Sequence, residues 1–279
     1  MRRLARVAIA VLVSALAPAM AGPASALDLN QWVPGLRVIP FLAERVEYQT
    51  NVFGTRSDPQ GDLVFRTSPG AVVEWVRGEN SASVGYRTEI LNFLEFSELD
   101  RTHHILAGQL QLDFNRLRLY VRDDFLKTSD PQNTELTGRV DSSTNAFVSE
   151  AVYRLGESFL IGANAGWTTV SYPDFPQLDR HEYLAGGSVF WRFTPKADLQ
   201  LGYNHGEKIF DDAFSFRDVS RDIVFGSVRG DVTAKLSSTF RLGWERRQPK
   251  RSGLKSYSGL VAGGDWTYRP TERLTIALY

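Results

Sequence analysis

The side chains best suited to acid–base or hydrolytic chemistry are the four histidines of the chain, His103, His104, His181 and His205. A hydrolase built on them needs a serine, or a pair of carboxylates, within hydrogen-bond reach of a histidine. His181 and His205 fall where they would oppose each other across a hairpin, near Asp174 or Asp179. However, no serine or other nucleophile lies at a spacing from these histidines that is typical of a hydrolase. The pattern favours a polar cluster, and we expect no catalytic residues and no enzymatic activity.

Acidic residues offer two further groups that could bind a divalent cation. The loop from Asp58 to Asp62 and the pair Asp211 and Asp212 supply the oxygen ligands, but neither has the spacing of a calcium loop. The chain has no cysteine, which excludes disulfides and thiolate metal sites. We therefore expect no metal site and no cofactor.

The segments that carry these side chains have the periodicity of β-strands. In residues 181–205, Tyr183, Val189 and Trp191 fall on one side of an alternating pattern, which resumes after a turn with Leu201 and Tyr203. Similar patterns fill the chain after residue 38. Their connections alternate between tight turns, near residues 78, 115, 157, 195, 235 and 271, and longer polar loops, near 55, 98, 135, 177, 213 and 251. This alternation is typical of outer-membrane barrels. The sequence predicts an all-β transmembrane antiparallel meander β-barrel with about thirteen strands.

Aromatic residues on the apolar side of these strands concentrate near the strand ends. Amphipathic rings at the two headgroup levels of a bilayer, with aliphatic side chains between them, are the pattern that a membrane barrel needs. We expect a lipid-facing aromatic girdle formed by Trp75, Tyr86, Tyr153, Trp167, Tyr183, Trp191, Phe193, Tyr203, Trp244, Trp266 and Tyr268.

The opposite side of the strands is rich in charge of both signs. Residue parity predicts that the pore lining includes Arg87, Arg118, Arg122, Arg154, Arg192, Glu89, Asp124 and Glu150. Because inward acids and bases balance, we expect weak ion selectivity. Two interpretations stay open: a water-filled pore whose charges set transverse fields, or a narrow lumen filled by cross-strand salt bridges.

The N-terminus predicts export. Basic residues followed by a short apolar stretch, and small residues at Ala24 and Ala26, indicate a cleaved signal peptide over residues 1–26. Residues 27–37 are predicted to form a periplasmic lead, and residues 38–279 the barrel domain. An odd strand number, with Tyr279 on the inward side, leads us to expect that this domain is truncated at its C-terminus. The expected location is the outer membrane of a Gram-negative bacterium.

Expected partners follow from that location. They are outer-membrane lipids and the barrel-assembly machinery. The formal net charge of zero argues against nucleic acid.

Residues 47–75 resemble the β-barrel porin 2 family of bacterial outer-membrane proteins. The resemblance rests on a Tyr, Asn and Phe group at the end of the first strand, a Ser-Asp loop, and a Pro-Gly pair in the next strand; here these are Tyr48, Asn51, Phe53, Ser57, Asp58, Pro69 and Gly70. It implies a porin-like barrel, and it implies a possible role in exopolysaccharide or capsule export. It brings no catalytic residues.

The sequence therefore leaves three functions open. The first is a porin-like pore for passive passage of small solutes. The alternatives are an outer-membrane component of exopolysaccharide or capsule export, with polysaccharide as a partner, and a hydrolase on the barrel rim.

Overall fold

The computed structural model describes residues 26–55, 57–130, 139–211, 216–231, 233, 235–271 and 274–278. Asp212, Tyr279 and the predicted signal peptide, except for its last residue, lie outside these ranges. The described residues form one antiparallel sheet in which each strand pairs with its neighbours along the chain. The all-β antiparallel meander is thus confirmed. Its strands are β1 Leu27–Asp28, β2 Leu36–Gln49, β3 Asp62–Arg77, β4 Asn80–Phe93, β5 Arg101–Phe114, β6 Leu117–Thr128, β7 Ser142–Arg154, β8 Phe159–Ser171, β9 Arg180–Thr194, β10 Ala197–Phe210, β11 Val219–Asp231, β12 Leu236–Pro249, β13 Tyr257–Thr271 and β14 Leu274–Leu278.

Strands β2 to β14 correspond to the thirteen strands expected from the sequence, and β1 adds a two-residue pairing within the predicted lead. In the described ranges β1 pairs only with β2, and β14 pairs only with β13. The hydrogen-bonded sheet therefore has two free edges and is not closed. No helix in the part of the chain described here is long and apolar enough to cross a bilayer.

The connections fall into two classes at opposite ends of the strands. At one end, here called the turn end, β3–β4, β5–β6 and the later hairpins are joined by two to four residues. At the other end, the loop end, connections run from seven to thirteen residues. Gly78 and Asn115 adopt positive φ, 63° and 25°, which two-residue hairpin turns require. Turn chemistry therefore sets the register of these hairpins.

The two faces of the sheet differ in burial. Every buried apolar residue within a strand lies on one face, called here the inner face: Val64, Leu91, Phe93, Leu160, Val170, Phe190, Phe210 and Phe225. The opposite, outer face carries most of the exposed large apolar residues of the strands. Because register is continuous from strand to strand, each face keeps its character across the whole sheet.

A small apolar cluster closes the inner face at the loop end of β3 and β4. Val52, Val64, Leu91 and Phe93 form its buried part, with Phe53, Phe96 and Leu99 packed against it. The buried Asp62 carboxylate accepts hydrogen bonds from the backbone N–H groups of Leu63, Glu95 and Phe96. The loop after β4 is thereby fixed over the inner face.

Arg139, from the connection between β6 and β7, ties a second loop to this cluster. Its guanidinium lies 5.0 Å above the ring of Phe93, donates to Gln49 Oε1 at 2.6 Å and pairs with Asp130 at 2.7 Å. The loop ends of β2 to β7 are thus packed together over one side of the inner face.

Candidate functional site

The predicted girdle residues share the outer face, where ten of the eleven are exposed and Trp75 is half-buried. Those nearer the turn end are Trp75, Tyr153, Trp191, Phe193, Trp266 and Tyr268, those nearer the loop end are Trp167, Tyr183 and Trp244, and Tyr86 and Tyr203 lie at the middle of their strands. Neighbouring rings meet: Trp167 and Tyr183 are 5.5 Å apart between centroids, and Trp191 and Phe193 are 5.9 Å apart. Small outer residues such as Ala163, Ala185 and Gly187 lie between the two levels.

The two mid-strand tyrosines direct their hydroxyls to polar groups on the side of the loop end. Tyr203 donates to Asp222 Oδ1 at 2.6 Å, and the Tyr86 hydroxyl lies 2.8 Å from His104 Nδ1. An amphipathic ring with one polar contact suits the boundary between hydrocarbon and headgroups. The outer face therefore changes from apolar to polar at this level.

The predicted pore-lining residues share the inner face, and four of the arginines among them are ion-paired. Their pairs are Arg87–Glu89 at 3.1 Å, Arg118–Asp113 at 2.8 Å, Arg122–Asp124 at 2.6 Å and Arg192–Asp198 at 3.1 Å. Arg154 and Glu150 have no ion-pair partner among the described residues. The arginine side chains remain 38% to 57% exposed in these pairs, so they face solvent and do not fill a core.

Three carboxylates of the inner face each lie between two cations, an arrangement that the sequence analysis did not find. The groups lie on β9 to β12, each spanning two or three neighbouring strands, and they are Arg180–Glu182–Lys208, Arg192–Asp198–Arg229 and Arg221–Glu245–Arg247. Residue parity places all nine on the inner face, so parity could have identified the set. Which acid joins which bases depends on cross-strand register, which parity does not give.

Aromatic side chains of the inner face occupy the space above glycines of the neighbouring strand. A Cβ atom added to Gly202 would be 2.5 Å from the Phe225 ring, and one added to Gly162 would be 3.0 Å from the Phe190 ring. Phe41 covers Gly70 in the same way, at 2.5 Å. Guanidinium groups stack over two of these rings: Arg229 over Phe190 and Arg241 over Phe225.

Within the described ranges, His103 is the one histidine whose ring lies beside a serine hydroxyl. Its Nε2 lies 3.1 Å from Ser129 Oγ and accepts a hydrogen bond from the Ser129 backbone N–H at 3.1 Å. Both residues are 2% exposed. A serine that is enclosed in this way has no space for a substrate, so the contact secures the start of the connection after β6.

The expected opposition of His181 and His205 is wrong. His181 pairs with Ile209 and His205 with Ala185, because the register of the hairpin is set by the turn between Thr194 and Ala197. Their acidic neighbours also differ from the expected Asp174 and Asp179. His205 Nδ1 lies 2.8 Å from Asp222, and His181 Nε2 lies 3.8 Å from Asp211. Asp179 instead accepts hydrogen bonds from Tyr172 N and Ser171 Oγ.

The two candidate cation-binding groups do not assemble in the described ranges. The Asp62 carboxylate already accepts hydrogen bonds from backbone N–H groups, and Asp212 lies outside those ranges. No group of three or more His, Asp or Glu side chains that could hold a metal ion occurs in the described parts of the chain.

Comparison with known proteins gives similarity of structure only. No protein-family model matches the sequence, and no characterised protein matches it. OmpT, an outer membrane protein of Vibrio cholerae, is 10% identical with a TM-score of 0.45, over 83% of this chain and 87% of that one. A loop L8 deletion mutant of OmpT is 8% identical with a TM-score of 0.45, over 82% and 90%. A bacterial polysaccharide outer membrane secretin is 11% identical with a TM-score of 0.49, over 84% and 78%.

The expectation that the chain is not an enzyme is corrected here. The similar structures are outer-membrane proteins, and one fold can carry enzymes as well as pores because function depends on the site and not on the fold. Neither the fold nor the comparisons give a basis for excluding an enzymatic activity, and the exclusion is withdrawn.

Proposed function

We propose that the chain is an outer-membrane β-barrel that forms a pore for hydrophilic solutes. The observation that carries this proposal is the opposite chemistry of the two faces. The outer face exposes large apolar and aromatic residues on nearly every strand, including Trp167, Leu201, Trp244 and Leu260 at 52%, 63%, 52% and 68% exposure. An apolar surface of this extent needs lipid or another apolar cover. The inner face carries ion-paired arginines that reach solvent.

The segregated connections support the same proposal. Short turns at one end and long loops at the other are typical of bacterial outer-membrane barrels, with the turns in the periplasm. In this proposal the chain is exported by a cleaved signal peptide, assembled by the barrel-assembly machinery and surrounded by outer-membrane lipids of a Gram-negative bacterium. Membership of the β-barrel porin 2 family belongs to the same proposal and rests on the motifs around Tyr48 and Pro69.

Single-channel recording tests the pore. The full chain, folded in detergent and added to planar bilayers, is expected to give stable conductance steps. Because the chain has no cysteine, the steps can be assigned to its own lumen with Arg118→Cys. A charged methanethiosulfonate reagent should reduce the conductance of this variant.

The matched control is the adjacent outer-face variant Leu119→Cys, whose conductance the reagent should leave unchanged. A folded chain that inserts into the bilayer without conducting would contradict the pore, as would equal effects of the reagent on both variants.

A conduit for a glycan chain is the second candidate function. Supporting this candidate, Phe190 and Phe225 fill the space above Gly162 and Gly202, and aromatic side chains packed against their own wall leave the lumen beside it to a polymer. A glycan conduit should admit larger neutral polymers than a small-solute pore admits. Polyethylene glycols of increasing radius should keep lowering the conductance if the lumen admits a polysaccharide. An early cutoff, at the radius of a monosaccharide, would favour the small-solute pore.

A further inference from the structure

We propose that the inner face of β9 to β12 is a path for anions that runs from the loop end to the turn end. This inference rests on the proposed pore and specifies which solutes it favours. It is carried by the three cation–carboxylate–cation groups described above, called here the triads, and by Arg241. Each triad has two formal positive charges and one negative charge.

The triad at the turn end joins three strands. Asp198 on β10 accepts from Arg192 on β9 at 3.1 Å and from Arg229 on β11 at 3.3 Å. The carboxylate side chain is 13% exposed, whereas the two arginine side chains are 38% and 47% exposed. A solute in the lumen therefore meets guanidinium groups, with the acid beneath them.

The same layering occurs nearer the loop end. Glu245 on β12 pairs with Arg221 at 2.6 Å and also with Arg247. Its side chain is 2% exposed, against 49% and 57% for the arginines. One carboxylate cannot neutralise two guanidinium groups, so donors on both arginines remain available to a second anion.

The third triad and Arg241 complete the series. Glu182 lies 2.9 Å from Arg180 and 3.4 Å from Lys208, close to the loop end. Its side chain is 39% exposed, against 22% and 38% for these cations, so this acid reaches solvent beside them and is not layered beneath them. Arg241, at the level of Gln200 and Ser227, stacks 4.8 Å above the Phe225 ring and has no carboxylate partner among the described residues. Its charge is therefore uncompensated in the middle of the series.

The cationic groups extend along the whole length of the strands. Glu182 and Arg192 are separated by ten residues of β9, which corresponds to roughly 33 Å at about 3.3 Å per residue. Several weak sites in series allow an ion to enter, pass between sites and leave. A single tight site would bind the ion without conducting it.

The wall formed by β2 to β6 provides the contrast, because its inner face is close to balance, with seven cations against six carboxylates, namely Arg37, Arg45, Arg66, Arg87, Arg101, Arg118 and Arg122 against Glu47, Asp62, Glu74, Glu89, Asp113 and Asp124. Arg118 pairs with Asp113, and Arg122 pairs with Asp124, each one to one. A larger cluster near the loop end balances too, and it consists of Arg66, Arg87 and Arg139 with Glu47, Glu89 and Asp130.

The inner face of β9 to β12 carries seven cations against four carboxylates, namely Arg180, Arg192, Lys208, Arg221, Arg229, Arg241 and Arg247 against Glu182, Asp198, Asp231 and Glu245. The near balance of the whole lumen conceals this local surplus.

Guanidinium chemistry defines the solute class. Arginine presents paired N–H donors that match the two oxygens of a carboxylate or a phosphate. The path is therefore suited to solutes that carry these groups, and to chloride as the simplest probe. This refines the sequence-based expectation of weak selectivity, which counted the charges but not their distribution.

Reversal potentials in a KCl gradient test the inference. The wild-type pore is expected to favour chloride over potassium by at least about twofold, because a lumen lined by one sign of charge concentrates the opposite ion. The triple variant Arg229→Gln, Arg241→Gln and Arg247→Gln leaves one cation per carboxylate in two triads. Its preference for chloride should fall to near unity. Asp198→Asn should instead raise the preference for chloride above that of the wild type, because it removes a negative charge.

The matched control removes balanced pairs from the other wall. The variant Arg118→Gln, Asp113→Asn, Arg122→Gln, Asp124→Asn is expected to keep the wild-type selectivity. A conducting wild-type pore without preference for chloride would overturn the anion path and leave the pore intact. Equal loss of selectivity in the control and the triple variant would also overturn it.

A second measurement applies if the folded chain does not conduct, which would count against the pore alone. Tripolyphosphate added to the detergent-folded full chain should raise its thermal unfolding temperature, and the triple variant should show a smaller rise. The absence of any difference between the two would overturn the anion path, whatever the conductance.

Discussion

At the scale of single residues, the inner wall depends on glycines that are covered by rings. The Phe225 side chain is 6% exposed although it faces the lumen, because it lies in the space that a side chain at Gly202 would occupy. The Arg241 guanidinium stacks 4.8 Å from the centroid of the same ring. The glycine, the phenylalanine and the arginine thus form one layered unit across three strands, and the glycine sets the height of the arginine above the wall.

Gly202→Ala is therefore predicted to destabilise the folded chain. The new Cβ would lie 2.5 Å from the Phe225 ring, and overpacking of this kind typically costs about 1 to 3 kcal/mol. Urea unfolding in detergent measures the loss. Gly108→Ala is the matched control, because the nearest atom to its added Cβ is 3.9 Å away. Equal stabilities of the two variants would contradict the layered unit.

Residue parity predicted a large part of the lumen chemistry, and its failures have one cause. It placed Arg118, Arg122 and Arg192 on the same face as their acids, but it did not identify Asp198 as the partner of Arg192. Partners follow from register, which a turn or bulge shifts by one or two residues; the β9–β10 hairpin shifts between Ala197 and Asp198. Contacts made by loops have no periodic signal in the sequence. Arg139 and Gln49, for example, are in contact although 90 residues separate them along the chain.

At the scale of the strand, the alternation of faces is the property that makes membrane insertion possible. On β10, Leu201 is 63% exposed on the outer face, and the adjacent Gln200 lies on the inner face, where it accepts a hydrogen bond from Ser227 at 2.9 Å. In the proposed barrel, one residue step therefore separates hydrocarbon from the aqueous lumen. The sequence predicted this feature well, because a period of two is a local signal.

An arginine introduced at these two neighbouring positions should have opposite consequences. Leu201→Arg is predicted to lower the unfolding free energy in lipid vesicles by about 2 kcal/mol or more, because a charge on the lipid face must be buried in hydrocarbon. Gln200→Arg should stay within about 0.5 kcal/mol of wild type, as expected for a solvated position. Guanidinium unfolding measures both variants. A similar cost at both positions would show that the outer face is not in lipid.

At the scale of the whole molecule, the segregation of turns from loops distinguishes the two ends of the sheet, and the proposal assigns its two faces to lipid and to water. The sequence predicted the thirteen strands β2 to β14 because each hairpin carries its own signal. It did not predict how the loops of β2 to β7 pack over the inner face, since that packing depends on the curvature of the sheet and on contacts between distant segments. The surplus of cations on β9 to β12 also emerges only at this scale.

The most direct test of the central claim is the labelling of single cysteines along β10 in lipid vesicles with a water-soluble maleimide. The chain contains no cysteine of its own, so each variant reports one position. Gln200→Cys and Asn204→Cys, on the inner face, are predicted to react, whereas Leu199→Cys and Leu201→Cys should react only after the vesicles are dissolved and the chain is unfolded. Equal reaction of inner and outer positions in intact vesicles would contradict a lipid-embedded barrel with an aqueous lumen.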